Sequence, residues 1–420
     1  MRARAGPLAV KAALKSIAGR LSPANLSPTR DPSSTTEIIV QTAIITTTAH
    51  NVGDDFVREG ILYLLHQVTS GVRVELIHKH LPLTARPEWD WMRHSAFARA
   101  LDRLPRVSSV GVAERIDSLL PLRRGTDRVL TSQLLIQSGA PVYWLHGKES
   151  CAQNEWYGPL IRRRWQRVRS TVPFLSLAGG SCQAYDSDGS EFGQSAETLA
   201  YIREFYDACR LTTVRDLLSE RVLKLAGRSA PVLPCTSIFA RLGLGIEPAE
   251  PRYVVLNYMP GGGHFSYGGQ SHARAWEQTF ADFVRQLPRD AEYRMLCHSR
   301  AELAEARRLF GHIHAFWSED YREYLQFMAH ARFGIVNRVH AGFALASFGR
   351  PCFVVGSDSR TRMCGLIGLR HEHVGAVHAA GLLSELELLR EQACSYPAVM
   401  RQLQEDSGAR YVGLLRGALV

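Results

Sequence analysis

The sequence predicts an α/β protein made of two Rossmann-like parallel-sheet domains facing a cleft. Three observations carry that expectation. Runs of β-branched apolar residues alternate with segments of helical periodicity along most of the chain, as in a parallel sheet covered on both faces. The alternation pauses over 243–252, which holds two prolines, and then restarts. Several strands end in polar residues able to carry chemistry, at the sheet edge where open α/β folds bind ligands.

The chain has 420 residues, 45% apolar and 21% charged, enough for two cores of ordinary size. Its net charge of +10 suits anionic small molecules, anionic lipid or nucleic acid, or reflects a solvated basic surface. Eight cysteines are scattered with no C-x-x-C pair, which argues against a zinc ribbon and fits free thiols in a reducing compartment. No apolar run is long enough to span a bilayer, so a cytoplasmic location is expected. Met1 to Arg30 carries six basic residues and no acid. A short amphipathic helix near Leu8 to Leu21 would touch an anionic inner-membrane face; the alternative is a frayed tail. Residues 22–36 read as a linker, so 1–36 is set apart.

The first domain is expected over 37–242. Glu37 to Thr48 is a strand by its β-branched content, and Phe56, Ile61, Leu64 and Leu65 recur at helical spacing. Val72 to Ile77 is the next strand, completing a β-loop-α-β opening. Further strands are expected at 142–145, 173–177 and 211–214, with helices over 196–206 and 219–225, the latter closed by Gly227. The second domain is expected over 243–381. It opens with the strand Tyr253 to Asn257 and a glycine-rich loop, Pro260 to Gly269. That loop lacks the spacing of a Walker loop or dinucleotide fingerprint, and reads as a cleft lid or an irregular surface loop. Then follow helix 271–287, strand 293–297 and helices 300–310 and 321–330. Residues 382–420 form a helical tail.

Ala331 to Val355 is the most informative stretch: strand, polar break, small-residue helix, strand. Arg338 and His340 stand at the break. A helix start there favours negative charge, arginine adds a fork for carboxylate or phosphate, and histidine can exchange a proton near neutral pH. The alternatives are an arginine paired with an acid and a buried histidine bonded to backbone. Arg215 follows a strand of the first domain and either completes the clamp or pairs with Asp216. Asp358 and Arg360 occupy another strand-end loop. After the first strand, Gly53 suits a tight turn, Asp54 can cap the helix, and Asn51 faces the cleft or serves the cap. Two alternating histidine pairs (312 and 314, 371 and 373) lack H-E-x-x-H spacing, so no metal is expected. Arg162 to Arg164 with Trp165 and Arg167 form a basic patch; no nucleic-acid module accompanies it, leaving a solvated helix face or an acidic-glycan contact.

Four short motifs, in order, resemble those of the polysaccharide pyruvyl transferase family. Asn51-Val-Gly53-Asp54 is similar to its Asn-x-Gly-Asp motif, and Val214-Arg215-Asp216 to its Val-Arg-Asp segment. Tyr321 to Ala329 resembles the helix before its signature, and Arg338-Val-His340-Ala341 with Gly349-x-Pro351 resembles the signature itself. The sequence departs from the family at His146-Gly147-Lys148, Ala178-Gly179-Gly180 and Pro234-Cys235.

The resemblance implies a glycosyltransferase-B-like fold, with the acceptor on the first domain and the donor on the second. It also implies transfer of an enolpyruvyl unit from phosphoenolpyruvate to a sugar of a polysaccharide or glycolipid precursor, as in exopolysaccharide biosynthesis, forming a ketal without a cofactor. Arg338 and His340 would then be catalytic, with Arg215, Asn51, Asp54, Asp358 and Arg360 binding substrate. A nucleotide-sugar glycosyltransferase of the same architecture, and a non-catalytic anion-binding homologue, remain open alternatives.

Overall fold

A computed structural model describes residues 39–48, 51–69, 71–79, 81–94, 116–122, 125–145, 162–263 and 270–419. The basic segment and linker over 1–36, residues 146–148 and the loop portion 264–269 lie outside the described residues.

The first sheet contains β1 (Ile39–Thr46), β2 (Gly71–His78), β3 (Leu134–Gln137), β4 (Pro141–Tyr143), β5 (Phe174–Ser181) and β6 (Leu211–Val214). Its order is β2-β1-β3-β5-β4, with β6 also on β5, and its pairings are parallel. Helices α1 (Val52–His66), α2 (Ala196–Ala208) and α3 (Leu217–Leu225) accompany it. Phe56, Ile61, Leu64 and Leu65 form the fully buried face of α1, each contributing roughly 1.5–3 kcal/mol by leaving water.

The second sheet contains β7 (Tyr253–Asn257), β8 (Glu292–Leu296), β9 (His314–Phe316), β10 (Ala331–Val336), β11 (Cys352–Gly356) and β12 (Arg370–His373). It is parallel, in the order β12-β11-β10-β7-β8-β9. The order reverses between β7 and β10, which opens a crevice at their carboxyl ends. Helices α4 (Gln270–Arg285), α5 (Arg300–Phe310), α6 (Tyr321–Ala329), α7 (Val339–Ser347), α8 (Ala379–Gln392) and α9 (Tyr396–Leu419) complete the chain.

Three strands were not foreseen: β3, β9 and β12. The histidine alternations at 312 and 314 and at 371 and 373 fall in and beside short edge strands. β5 also runs further than its apolar run predicts, through Ala178-Gly179-Gly180. Ala178 adopts φ 56, and the register with β6 shifts between Ser176 and Gly179. The bare glycine backbone that follows is what lets an arginine lie against it.

The domains share one apolar core. Phe56, Val57 and Ile61 of α1 cluster with Phe343, Ala344 and Leu345 of α7, and with Ile238 and Phe239 between them. Small residues also let α7 lie close on its own sheet: a Cβ on Gly342 would stand 2.9 Å from Val354 Cγ2. Over 243–252 the chain is tied to the second domain, Ala249 N–H donating to Ala329 O and Arg252 N–H to His330 O. Helix α9 then returns to the first domain, where Tyr411 donates to Pro234 O at 2.9 Å and Gln404 to Ile238 O at 2.6 Å. None of the described helices is long and apolar enough to cross a membrane.

Candidate active site

The carboxyl edges of the two sheets enclose a cavity of about 100 Å³. Asn51, Asp54, Arg215, Arg338, His340, Asp358 and Arg360 all line it, so residues scattered through the sequence meet at one place. His298, Asn337, Met259 and Met363 line it as well.

His340 stands in the first turn of α7, half-buried. One side of its ring rests on α1, where a Cβ on Gly53 would fall 2.4 Å from Nδ1. Close approach to the imidazole therefore requires glycine at position 53. On the other side, Nε2 lies 3.4 Å from Nη1 of Arg215. A guanidinium only donates, so a hydrogen bond from this side needs the Nε2 lone pair, with the ring proton on Nδ1. Burial and the Arg215 charge push the imidazole down to about 3, against the opposing pull of Asp54. Surrounded only by protein groups, His340 is neutral at pH 7. It acts as an acid only where an anion offsets the neighbouring cations.

Arg215 follows β6 and is 1% exposed. Among the described residues no carboxylate lies within 4 Å of it, and its Nε has no partner. It does not form the anticipated ion pair with Asp216. That carboxylate instead caps α3, accepting from Ser219 N–H at 2.6 Å and Ser181 N–H at 3.1 Å, and burial raises its pKa. Arg215 Nη1 reaches Cys235 Sγ at 3.7 Å, and a Cβ on Gly180 would lie 2.6 Å from Nε. The charge is thus deeply buried and met only by neutral groups at close range.

The other cations of the cavity are paired. Arg338 Nε donates to Glu302 Oε1 at 3.0 Å, and Nη2 donates to the same oxygen. Glu302 is itself fixed, its Oε2 accepting from His298 N–H at 2.8 Å. Arg338 is thus the acid-paired helix-start arginine of the alternative expectation, yet it lines the cavity. Arg360 makes a two-pronged contact with Asp358, at 2.8 and 2.9 Å. Asp54 is not the helix cap that its position predicted. Asn51 occupies the cap position without a side-chain cap bond, while Asp54 Oδ2 accepts from Thr47, from Lys79 Nζ at 3.0 Å and from Asn51 Nδ2 at 3.2 Å. Burial would raise its carboxyl, but the Lys79 charge and the Thr47 hydroxyl hold it at about 2.

Lys79, Glu302, Cys235, Asn257 and Asn337 were not among the expected site residues. Lys79 directly follows β2 at the edge shared with β1, a position that would have flagged it. Asn257 and Asn337 pair the ends of β7 and β10: Asn257 Oδ1 accepts the backbone N–H groups of Asn337 and Arg338, at 3.1 and 2.7 Å. They fix the break from which Arg338 and His340 project. Three arginines of the basic patch near Trp165 are paired within the chain, Arg162 with Glu204 at the surface and Arg163 and Arg164 with Asp117, while Arg167 is exposed. Among the described residues, no group of three or more His, Cys, Asp or Glu is arranged to hold a metal ion.

Residues 156–359 match the family model for polysaccharide pyruvyl transferase. Over that span, just under half of its length, the chain is similar to the polysaccharide pyruvyl transferases. Arg215, Arg338, His340 and Asp358 fall inside the matched span. No curated protein matches the chain in sequence. Among solved structures, a Listeria monocytogenes chain assigned as a UDP-N-acetylglucosamine 2-epimerase is similar with a TM-score of 0.50 at 9% identity, covering 86% of this chain and 91% of that one. MnaA from S. aureus, solved with UDP, is similar with a TM-score of 0.50 at 12% identity, covering 85% and 92%. At such identities the likeness concerns the fold: two parallel-sheet domains of the glycosyltransferase-B type. The family match, not the shared fold, is what points to a transferase of polysaccharide modification.

Proposed function

We propose that the protein transfers a pyruvyl group from phosphoenolpyruvate to a sugar of a polysaccharide or glycolipid precursor, closing a ketal. The observation that carries this is Arg215: a buried guanidinium without a carboxylate, beside a neutral imidazole, on the wall of a cavity. Burying a charge with no carboxylate at ion-pair distance, Asp216 acting on it only from further off, costs on the order of several kcal/mol. A carboxylate or phosphate arriving in the cavity offsets that cost, and arginine's fork suits either group.

The chemistry then follows from charge. Phosphoenolpyruvate brings a carboxylate and a phosphate toward Arg215, Arg338 and Arg360. Their compensation removes the cationic share of what keeps His340 neutral, the nearby anion itself opposes the share due to burial, and Nε2 takes up a proton. That proton passes to the methylene carbon, giving the adjacent carbon oxocarbenium character. An acceptor hydroxyl bonds to that carbon. A second hydroxyl of the same sugar displaces the phosphate as its C–O bond breaks, and the two hydroxyl protons are released. A positioned acid contributes about 10²–10⁴-fold to such a step, and the fixed cations stabilise the developing charge further. Asn51 and the Asp54–Lys79 pair stand on the first-domain wall, where they would meet the acceptor.

The test is incubation of the purified chain with phosphoenolpyruvate and candidate sugar acceptors. We expect acceptor-dependent phosphate release and a pyruvyl mass increment on the sugar, both lost in His340→Gln. Consumption of a nucleotide sugar, with phosphoenolpyruvate untouched, would overturn the proposal.

A further inference from the structure

We infer that Cys235 is a positioning residue of this site, its thiol set between Arg215 and His340 so as to fix which imidazole nitrogen carries the proton. This rests on His340 being the proton carrier proposed above. The chain delivers Cys235 by an irregular route. Val232 bridges β6 at Val214, and Leu233 N–H donates to Val214 O at 2.9 Å. On the far side, the Pro234 carbonyl is held by Tyr411 of α9. The backbone is thereby pinned from both flanks, and the side chain is fully buried.

Sγ lies 3.7 Å from Arg215 Nη1 and 3.8 Å from His340 Nε2, while those two nitrogens are 3.4 Å apart. The three atoms form a closed triangle whose members differ in kind. Guanidinium can only donate; a thiol can donate and accept. The consistent assignment has Arg215 donating to sulfur and the thiol S–H donating to Nε2. That holds the proton of neutral His340 on Nδ1.

The thiol matters more once the ring is charged. A proton on Nε2 needs an acceptor, and Arg215 offers none. Sulfur can rotate its hydrogen away and present a lone pair to Nε2–H. Within this triangle, only Cys235 can satisfy Nε2 in both protonation states. It need not touch the donor substrate to do so.

The test uses the full chain labelled with ¹⁵N-histidine, comparing wild type with Cys235→Ser, Cys235→Ala and Cys235→Val. Imidazole ¹⁵N shifts report the tautomer directly. Wild type and Cys235→Ser should show His340 as the Nδ1–H form, with Nε2 protonated on addition of phosphoenolpyruvate. The Ala and Val variants should show mixed tautomers and weaker proton uptake. Their kcat should fall by about tenfold, toward the low end of what a positioned acid supplies, with KM for phosphoenolpyruvate little changed and Cys235→Ser largely rescued. Valine keeps the buried volume, so a packing defect in the alanine variant does not blur the outcome. If the apolar variants retain the wild-type tautomer and proton uptake, the inference is overturned. Should wild type fail to bind phosphoenolpyruvate, the proposed donor is wrong, while the tautomer comparison still decides the role of Cys235.

Discussion

Arg164 and Arg215 are both fully buried arginines of the first domain, and they are treated in opposite ways. Arg164 Nε donates to Asp127 at 2.7 Å, and its two terminal nitrogens donate to Asp117 at 3.0 and 2.8 Å. Asp117 is also reached by Arg86 and Arg163. Burial would raise the Asp117 carboxyl, but Arg164 and Arg163 hold it low. Arg215 is as deeply buried but meets a sulfur, an imidazole and a glycine. A buried cation neutralised within the chain is part of the scaffold; one left for an outside anion marks a binding site. Charge compensation separates the two roles where burial alone does not.

Substituting the two arginines should therefore produce contrasting defects, and this is the largest effect expected. Arg164→Met strands the Asp127 carboxylate in the interior, leaving Asp117 with Arg86 and Arg163, and should cost about 3–5 kcal/mol, seen as a lower urea midpoint. Arg215→Met should leave stability unchanged or raise it, since a well-packed apolar replacement for a buried charge is often neutral or better. Its phosphate release should vanish. Equal destabilisation of both variants would erase the distinction.

Next in size is Gly53→Ala. The added methyl collides with His340 Nδ1 and displaces the ring. Misplacing a catalytic group by about 1 Å costs on the order of 10²-fold, so kcat should drop by that amount while the circular dichroism stays native. Arg338→Lys should lower kcat/KM by roughly tenfold, because lysine loses the planar fork that spans Glu302 and a ligand. Full activity would place Arg338 with Arg164 as scaffold.

A separate effect is on pH dependence. His340 falls from its ordinary 6.5 to about 3 on folding, so between those values the unfolded chain binds more protons. Stability then declines as pH drops from 6.5 toward 3. Asp54, held at about 2 against an ordinary 3.8, adds a further decline below 3.8. His340→Gln should flatten the first part of the urea-midpoint profile and leave the second. An unchanged slope above pH 4 would mean that His340 is not held neutral.

The sequence disclosed what depends on local pattern. β-branched runs marked β1, β2, β7 and β10, and the strand-end positions of Arg215, Arg338 and His340 marked the sheet edge. β3, β9 and β12 were too short to stand out from loops. The missed residues depend on approach across the fold. Glu302 reads as an ordinary capping residue until the start of α5 meets Arg338 at the end of β10, and Cys235 reads as a loop residue until α1 and α7 close over it. The same limit applies to Asp54, whose helix-start position suggested a cap although tertiary contact with Lys79 claims the carboxylate.

Calorimetric titration of phosphoenolpyruvate into the full chain, repeated in buffers of different ionisation enthalpy, tests the central claim most directly. Binding should be accompanied by proton uptake at pH 7, lost with His340→Gln, and binding itself should disappear in Arg215→Met. Binding that survives in Arg215→Met with its heat and proton count unchanged would contradict the account.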